Sequence, residues 1–148
     1  MAHTFRDRRR IEFYETDMAG IVHFSNFFRF MESTEHAFFR SLGLSLHRGG
    51  PEGMSGWARV GAQCEFRRPL HYMDEVEIEL VVREKKQTSL AYDFVFRRVA
   101  DRDGPVPPDE VATGRLSVVH VTAANGARMK AAGMPPDVAR AIDVAPSS

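Results

Sequence analysis

The chain has 148 residues, 43% of them apolar, which predicts one domain with a substantial core and excludes extended disorder. Twenty basic residues balance twenty acidic ones, so no general positive field would attract nucleic acid or an anionic membrane. A single cysteine excludes a disulfide within the chain. No segment approaches the ~20 apolar residues of a membrane span, and the N-terminus lacks an apolar signal core. These features predict a soluble, cytoplasmic protein.

The first predicted element is a β-strand over residues 8–17. Ile11 and Phe13 alternate with polar neighbours at a period of two. Asp17 has the same parity, so a strand that continued to it would point this carboxylate toward the buried side. The pattern leaves two interpretations of Asp17 open. It is either a turn residue that bonds the following backbone amides or a functional acid.

A long helix is predicted over residues 25–42, because large apolar residues recur there at helical spacing and form a wide stripe. The stripe consists of Phe24, Phe27, Phe28, Phe30, Met31, Phe38, Phe39 and Leu42. Ser25 or Asn26 can serve as the N-cap, and Gly43 is a natural residue to end the helix. Most of these aromatic rings are expected in the core.

The remainder of the chain is dominated by strand patterns. A Gly-rich loop is expected over residues 45–57. Four alternating segments then predict strands at about residues 59–67, 75–83, 90–97 and 111–122. In the first of them Val60 and Cys64 are expected on one face and Arg59 on the other. A turn-rich loop is expected at 101–108.

This order of elements predicts an α+β fold, in which an antiparallel sheet of about five strands wraps around one long apolar helix. We expect a single domain over residues 1–148, with its core at about 8–122. The C-terminal tail (123–148) contains one short helix candidate at 136–142 and a frayed Ser147–Ser148 end.

The sequence contains few recognisable catalytic or ligand-binding motifs. The spacings typical of metal sites (CxxC, HExxH), nucleotide loops (GxGxxG, P-loop) and serine hydrolases (GxSxG) are absent. Cys64 is expected to be an inert core thiol. What remains is Asp17, followed by an Ala19-Gly20 turn and a helix start whose unpaired N–H groups can stabilise an oxyanion. A carboxylate beside such donors suits acyl transfer, as a nucleophile or as the base that activates water.

Several segments resemble a known family. They are Arg10–Phe13, Thr16–Phe24, Asn26–Phe27, Pro69–Val76 and Thr88–Leu90. These segments resemble the signature and central strands of the 4-hydroxybenzoyl-CoA thioesterase and YbgC-like acyl-CoA thioesterases. The resemblance runs from about residue 10 to residue 121 and implies a hot-dog fold. It also implies an enzyme that hydrolyses an acyl-CoA to a free acid and coenzyme A, as a homodimer or homotetramer. Coenzyme A enters only as part of the substrate, and no cofactor or metal is expected.

The resemblance also implies roles for individual residues. Asp17 matches the catalytic carboxylate, acting as nucleophile or general base, and the Phe24 backbone N–H matches the group that polarises the thioester carbonyl. His23 matches a position that lines the acyl pocket. Glu32, which by its spacing alone forms a surface pair with His36, matches an acidic position near the acyl ring. The other expected substrate-binding residues are Gly20, Asn26, Lys85 and Lys86. The two lysines lie near positions that bind the phosphates of coenzyme A.

Two questions stay open. Short-chain, long-chain and aromatic acyl groups all fit the pattern. A non-catalytic protein of the same fold that binds or senses acyl-CoA is the alternative class, whereas the His and Glu arrangement of a hot-dog dehydratase is not visible. Turnover of an acyl-CoA is the property that separates the enzyme from the binding protein.

Overall fold

One antiparallel sheet curves around a long helix in the computed structural model, which describes residues 1–147. The elements are β1 (Thr4–Arg10), α1 (Phe24–Ser41), β2 (Arg48–Gly50), β3 (Gly53–Phe66), β4 (Glu75–Lys85), β5 (Ser89–Asp101), β6 (Gly104–Ala124), β7 (Lys130–Ala131) and α2 (Pro136–Ala141). The strand order is β1-β4-β5-β6-β3-β2, and β7 pairs with β6. The predicted α+β architecture is confirmed. The expected frayed end falls partly on Ser148, which lies outside the described residues.

The central strands follow the predicted alternation. In β4 and β5 the apolar residues of one parity are all buried, whereas their charged neighbours of the other parity pair across the outer face. The buried residues are Val76, Ile78, Leu80, Val82, Leu90, Tyr92, Phe94 and Phe96. None of the helices in residues 1–147 is long and apolar enough to cross a membrane.

Helix α1 fills the concave side of the sheet with the predicted apolar stripe. Its buried apolar side chains are Phe27, Phe30, Met31, Phe38 and Phe39. The close approach of helix and sheet requires Gly114 in β6, because a Cβ there would lie 2.6 Å from the Met31 sulfur. Gly43 follows the helix with φ +72°, as predicted. The predicted N-cap was wrong: His23 caps the helix, because its ring nitrogen accepts a hydrogen bond from the Ser25 N–H.

The first strand was predicted too far along the chain. β1 ends at Arg10, and the Ile11 N–H then donates to the Asp74 carbonyl at 2.8 Å. A short 3-10 turn over Phe13–Glu15 follows. Asp17 therefore lies beyond the turn, and the strand parity that pointed it inward does not apply to it.

A β-bulge also overturned the predicted faces of β3. The pairing with β6 shifts by one residue between Arg59 and Gly61, so Val60 is an extra residue that remains 63% exposed. Beyond the bulge the parity reverses. Arg59 and Cys64 consequently face the same side, toward α1, where Arg59 contacts acidic residues of the helix and Cys64 packs against the core.

Both predicted loops contain strand. In the 45–57 segment, β2 pairs with the start of β3 as a small hairpin. Strand β6 begins at Gly104, so only a tight turn separates it from β5. Both segments are rich in glycine and proline, which interrupt the alternation of apolar and polar side chains. The sequence pattern therefore did not predict the strands, although the backbone is extended and paired there.

The tail is part of the folded structure. Helix α2 confirms the predicted short helix, and Val138 and Ile142 are fully buried. The Lys85 ammonium donates to the carbonyls of Ala139 and Ile142, both at 2.8 Å. This cation therefore satisfies carbonyl groups at the C-terminal end of α2.

A carboxylate in the core is paired with a partly exposed arginine. Glu35 of α1 is fully buried, and its Oε1 accepts from Arg59 Nη2 at 2.6 Å. Burial raises the pKa of Glu35, and the nearby Arg59 charge opposes that rise. Arg59 also lies 3.5 Å from the exposed Glu32.

Arg59→Met should lower the free energy of unfolding by about 3 kcal/mol at neutral pH, because it leaves the Glu35 charge buried without a partner. The loss should shrink toward acidic pH, since the raised pKa of Glu35 favours the protonated form, which does not need the cation. Urea unfolding across pH would measure both effects. Arg83→Met, which removes an exposed ion pair with Asp93, is the matched control and should cost less than about 1 kcal/mol. Equal losses in the two variants would contradict the interpretation.

Candidate active site

Asp17 lies in a small hairpin between the 3-10 turn and α1. Thr16 pairs with Val22, and the Asp17 N–H donates to the Ile21 carbonyl at 2.8 Å. The hairpin closes where the Gly20 N–H donates to the Asp17 carbonyl at 2.9 Å. Gly20 has φ +81°, a conformation that favours glycine, so the predicted turn is confirmed together with its glycine.

The two oxygens of the Asp17 carboxylate have different surroundings. Oδ1 accepts from the Ala19 N–H at 2.8 Å and from the Ile21 N–H at 3.4 Å. Oδ2 has no hydrogen-bond partner among residues 1–147. One oxygen therefore acts as the predicted turn cap and fixes the orientation of the group, and the other remains available.

The first backbone N–H groups of α1 differ in their partners. The Ser25 N–H donates to His23 Nδ1, and the Asn26 N–H donates to the His23 carbonyl at 2.9 Å. The Phe24 N–H has no partner within residues 1–147. Since the helix dipole places partial positive charge at this end, the Phe24 N–H is the donor best suited to a developing oxyanion.

Asp17 and Phe24 line the same cavity, which has a volume of about 490 Å³. Its other lining residues are Ile21, Val22, Phe27, Phe66, Arg67, Arg68, Pro69 and Leu70. The Phe27 and Phe66 rings meet edge to face at 5.1 Å and form part of an apolar wall. The cavity combines one carboxylate, one free N–H and an apolar lining, which is the set of groups that acyl transfer needs.

Two further predicted residues lie at the helix start. The His23 ring stacks on Phe24 at 4.7 Å and is exposed, so it is adjacent to the cavity without lining it. Asn26 Nδ2 donates to the Glu15 carbonyl at 2.8 Å. The Asn26 amide thus ties the helix to the segment that carries Asp17. Contact of either side chain with substrate stays a prediction.

The remaining predicted residues lie away from the cavity. Glu32 forms its ion pair with Arg59, where the sequence suggested His36. Lys85 is the last residue of β4, and Lys86 follows it. The other end of β4 lies nearer to Asp17, because Asp74, just before the strand, accepts a hydrogen bond from the Ile11 N–H ahead of the Asp17 loop. The 11 residues of β4 run from Glu75, next to Asp74, to Lys85, a length of up to about 36 Å. Within one chain, the structure does not bring these lysines together with Asp17.

From the sequence, Arg67 and Arg68 were only an alternative to Lys85 and Lys86 for binding the phosphates of coenzyme A. Both line the cavity, and their largely exposed side chains pair with Glu110 at 3.1 Å and Asp109 at 3.5 Å. The available signal was Pro69, which cannot donate to a strand ladder and therefore marks the end of the strand next to this Arg-Arg pair. The cavity therefore has two cations that substrate phosphates could reach.

Cys64 is half-buried and packs against the core. Burial raises the pKa of its thiol to about 11, which favours the protonated form at neutral pH. Its position agrees with the expected core thiol, and its inertness stays a prediction.

The curved antiparallel sheet around one long helix is the architecture of the hot-dog fold. The sequence profile of the Thioesterase-like superfamily matches residues 11–142, and the chain belongs to this family. It is similar to the 4-hydroxybenzoyl-CoA thioesterase of Pseudomonas sp. (strain CBS-3), with 31% identity over 140 residues, 93% of this chain and 96% of that protein. It is also similar to a putative esterase of Aquifex aeolicus (strain VF5), with 30% identity over 119 residues, 80% of this chain and 84% of that protein.

The shared fold is evident in a solved structure. The structure of the 4-hydroxybenzoyl-CoA thioesterase from Pseudomonas sp. strain CBS-3 superposes with a TM-score of 0.78 at 22% identity, covering 94% of this chain and 99% of that one. The family and the hot-dog fold that the sequence predicted are confirmed.

Gly20→Ala should lower the free energy of unfolding by about 1 kcal/mol, because a side chain is strained at the positive φ of this turn although the space around it is open. Gly49→Ala is the matched control, since its surroundings are equally open and its φ is not positive. Urea unfolding of the two variants compares them directly. A Gly20→Ala protein as stable as the control would show that the turn does not need its glycine.

Proposed function

We propose that this protein hydrolyses an acyl-CoA or aryl-CoA thioester to a free acid and coenzyme A. The observation that carries the proposal is that Asp17 and Phe24 line one cavity, and that Asp17 Oδ2 and the Phe24 N–H have no partner within residues 1–147. A CoA thioester hydrolase among its relatives, the Pseudomonas 4-hydroxybenzoyl-CoA thioesterase, supports the substrate class. The reaction needs no cofactor, since coenzyme A is part of the substrate.

In this proposal the thioester carbonyl oxygen accepts a hydrogen bond from the Phe24 N–H. As negative charge develops on that oxygen, the N-terminus of the 18-residue helix α1 stabilises it. The next two amides are bonded to His23, so among the described residues Phe24 supplies the free main-chain donor at the first position of the helix. Stabilisation of the transition state therefore depends on how accurately this N–H is placed.

Asp17 supplies the second half of the chemistry. Its Oδ2 either attacks the acyl carbon, forming a mixed anhydride that water then hydrolyses, or takes a proton from an attacking water. The hydrogen bonds to Oδ1 hold the carboxylate in one orientation in both cases. The departing thiolate needs little assistance, because a thiol has a pKa of only about 8.5.

We also propose a homodimer or homotetramer that acts in the cytoplasm. The outer edge of β3 supports assembly, because β2 pairs only with Gly53–Ser55 and leaves the edge from Arg59 to Phe66 unpaired among residues 1–147. Unpaired strand edges are natural sites for a second chain. An assembly could also bring Lys85 and Lys86 of one subunit to a substrate in the cavity of another.

A non-catalytic acyl-CoA binding protein is the second candidate. The bonds of Asp17 Oδ1 within its own turn are what a purely structural aspartate would make. Such a protein would bind acyl-CoA in calorimetry and would show no turnover.

Asp17→Asn should reduce kcat by about 100-fold or more, because the amide can neither attack the thioester nor accept a proton. Its Oδ1 can still accept the Ala19 N–H, so the fold should persist, which urea unfolding would verify. Thiol release from a panel of short-chain, long-chain and aryl-CoA thioesters gives the rates and identifies the acyl group. Full activity of the variant would eliminate the proposed mechanism, and a wild-type protein that binds these thioesters without turning them over would favour the second candidate.

The predicted phosphate contacts can be separated by two double variants. Lys85→Ala with Lys86→Ala should raise KM for CoA thioesters more than it lowers kcat, if the lysines bind phosphate. Arg67→Ala with Arg68→Ala is the comparison, since these cations line the cavity itself. Thioesters of N-acetylcysteamine, which lack phosphates, control for loss of structure because their KM should not change. A rise in KM only in the arginine variant would indicate that Arg67 and Arg68, and not the lysines, bind the phosphates.

A further inference from the structure

A buried ion pair lies directly before the Asp17 loop. Glu15, in the 3-10 turn, is only 5% exposed, and its Oε2 contacts Arg9 Nη2. Its Oε1 accepts from the Glu12 N–H at 2.8 Å. Both carboxylate oxygens of Glu15 are therefore occupied inside the protein, and the side chain is held in one place.

The main chain of Glu15 contacts the start of α1. Its carbonyl accepts from the His23 N–H at 2.9 Å and from Asn26 Nδ2 at 2.8 Å. His23 immediately precedes Phe24, and Asp17 follows Glu15 by two residues. One residue thus connects, through short stretches of backbone, the proposed oxyanion donor and the proposed catalytic carboxylate.

Arg9 anchors this connection to the rest of the molecule. It belongs to β1, where it pairs with Val76 of β4, so its backbone is fixed in the sheet. Its guanidinium carbon lies 4.2 Å from the centre of the buried Phe30 ring of α1, a cation–π contact. The Arg9 side chain therefore contacts sheet, helix and loop at the point where they meet.

We infer that Arg9 and Glu15 are positioning residues that fix the separation between the Asp17 carboxylate and the Phe24 N–H. Neither residue lines the cavity, so neither is expected to touch substrate. The inference rests on the proposed thioester hydrolysis. A displacement of about 1 Å in such a site can reduce the rate about 100-fold, so loss of the ion pair should act on kcat with little change in KM.

The experiment compares Arg9→Met, Glu15→Gln and the double variant for stability and for hydrolysis of the best acyl-CoA of the panel. Arg9→Met alone should be the least stable, because it leaves the Glu15 charge buried without a partner. The double variant removes both charges and should regain most of the stability. A positioning role requires that kcat nevertheless stay at least about tenfold below wild type in the double variant, with KM changed less than about threefold. Arg6→Met with Glu79→Gln, which removes an ion pair between β1 and β4 whose arginine side chain is 61% exposed, should leave kcat unchanged.

The outcomes separate the possibilities. If kcat returns to the wild-type value as stability returns in the double variant, the pair only balances charge and the positioning role is overturned while the hydrolase stands. If the wild-type protein turns over no thioester of the panel, the proposed function is wrong, and the positioning role, which rests on it, is wrong as well. A stable double variant with low kcat and nearly unchanged KM supports both.

Discussion

The rest of the structure depends on the burial of one face of α1 by the curved sheet. A helix with so many phenylalanines on one side is stable in water only when that side is covered, and the curved sheet supplies the cover, with β1, β3 and β4 against α1, Phe96 of β5 against Phe27, and Gly114 of β6 against Met31. Close approach at Gly114 leaves the helix little freedom to slide. Because the helix is fixed by its apolar side, its N-terminus is fixed as well, and the Phe24 N–H acquires a defined place beside the Asp17 loop.

A pair of charged side chains, Arg59 of β3 and Glu35 of α1, also joins the helix to the sheet. Arg59 faces the helix because a bulge at Val60 reverses the parity of β3, and it meets the fully buried Glu35 there. Without the bulge, Arg59 or the apolar residues that follow it would point to the wrong side. The bulge therefore allows one strand to deliver a cation to the middle of α1 and apolar side chains, among them Phe66, to the cavity near its start.

The two oxygens of the Asp17 carboxylate differ: one is used by the turn, and the other is available for chemistry. Oδ1 closes the turn, whereas Oδ2 is unpaired in the described structure, as is the first amide of α1, whose residue lines the same cavity. The interpretations of Asp17 as a turn cap and as a functional acid are compatible, because the two oxygens of a carboxylate can take different roles. The cap makes the free oxygen rigid, which is the property that a catalytic carboxylate needs.

The sequence by itself determined the class of fold, the long apolar helix, the alternating central strands and the importance of the segment around Asp17. These features come from local periodicity and turn chemistry, which neighbouring residues in the chain express directly. Only the tertiary structure decided the end of β1, the bulge at Val60 and the burial of Glu15, because each depends on a partner distant in sequence. The same holds for Arg67 and Arg68 at the cavity and for Lys85 at the end of α2. Long charged side chains adopt the partners that the fold brings within reach, and no spacing along the chain reveals those partners in advance.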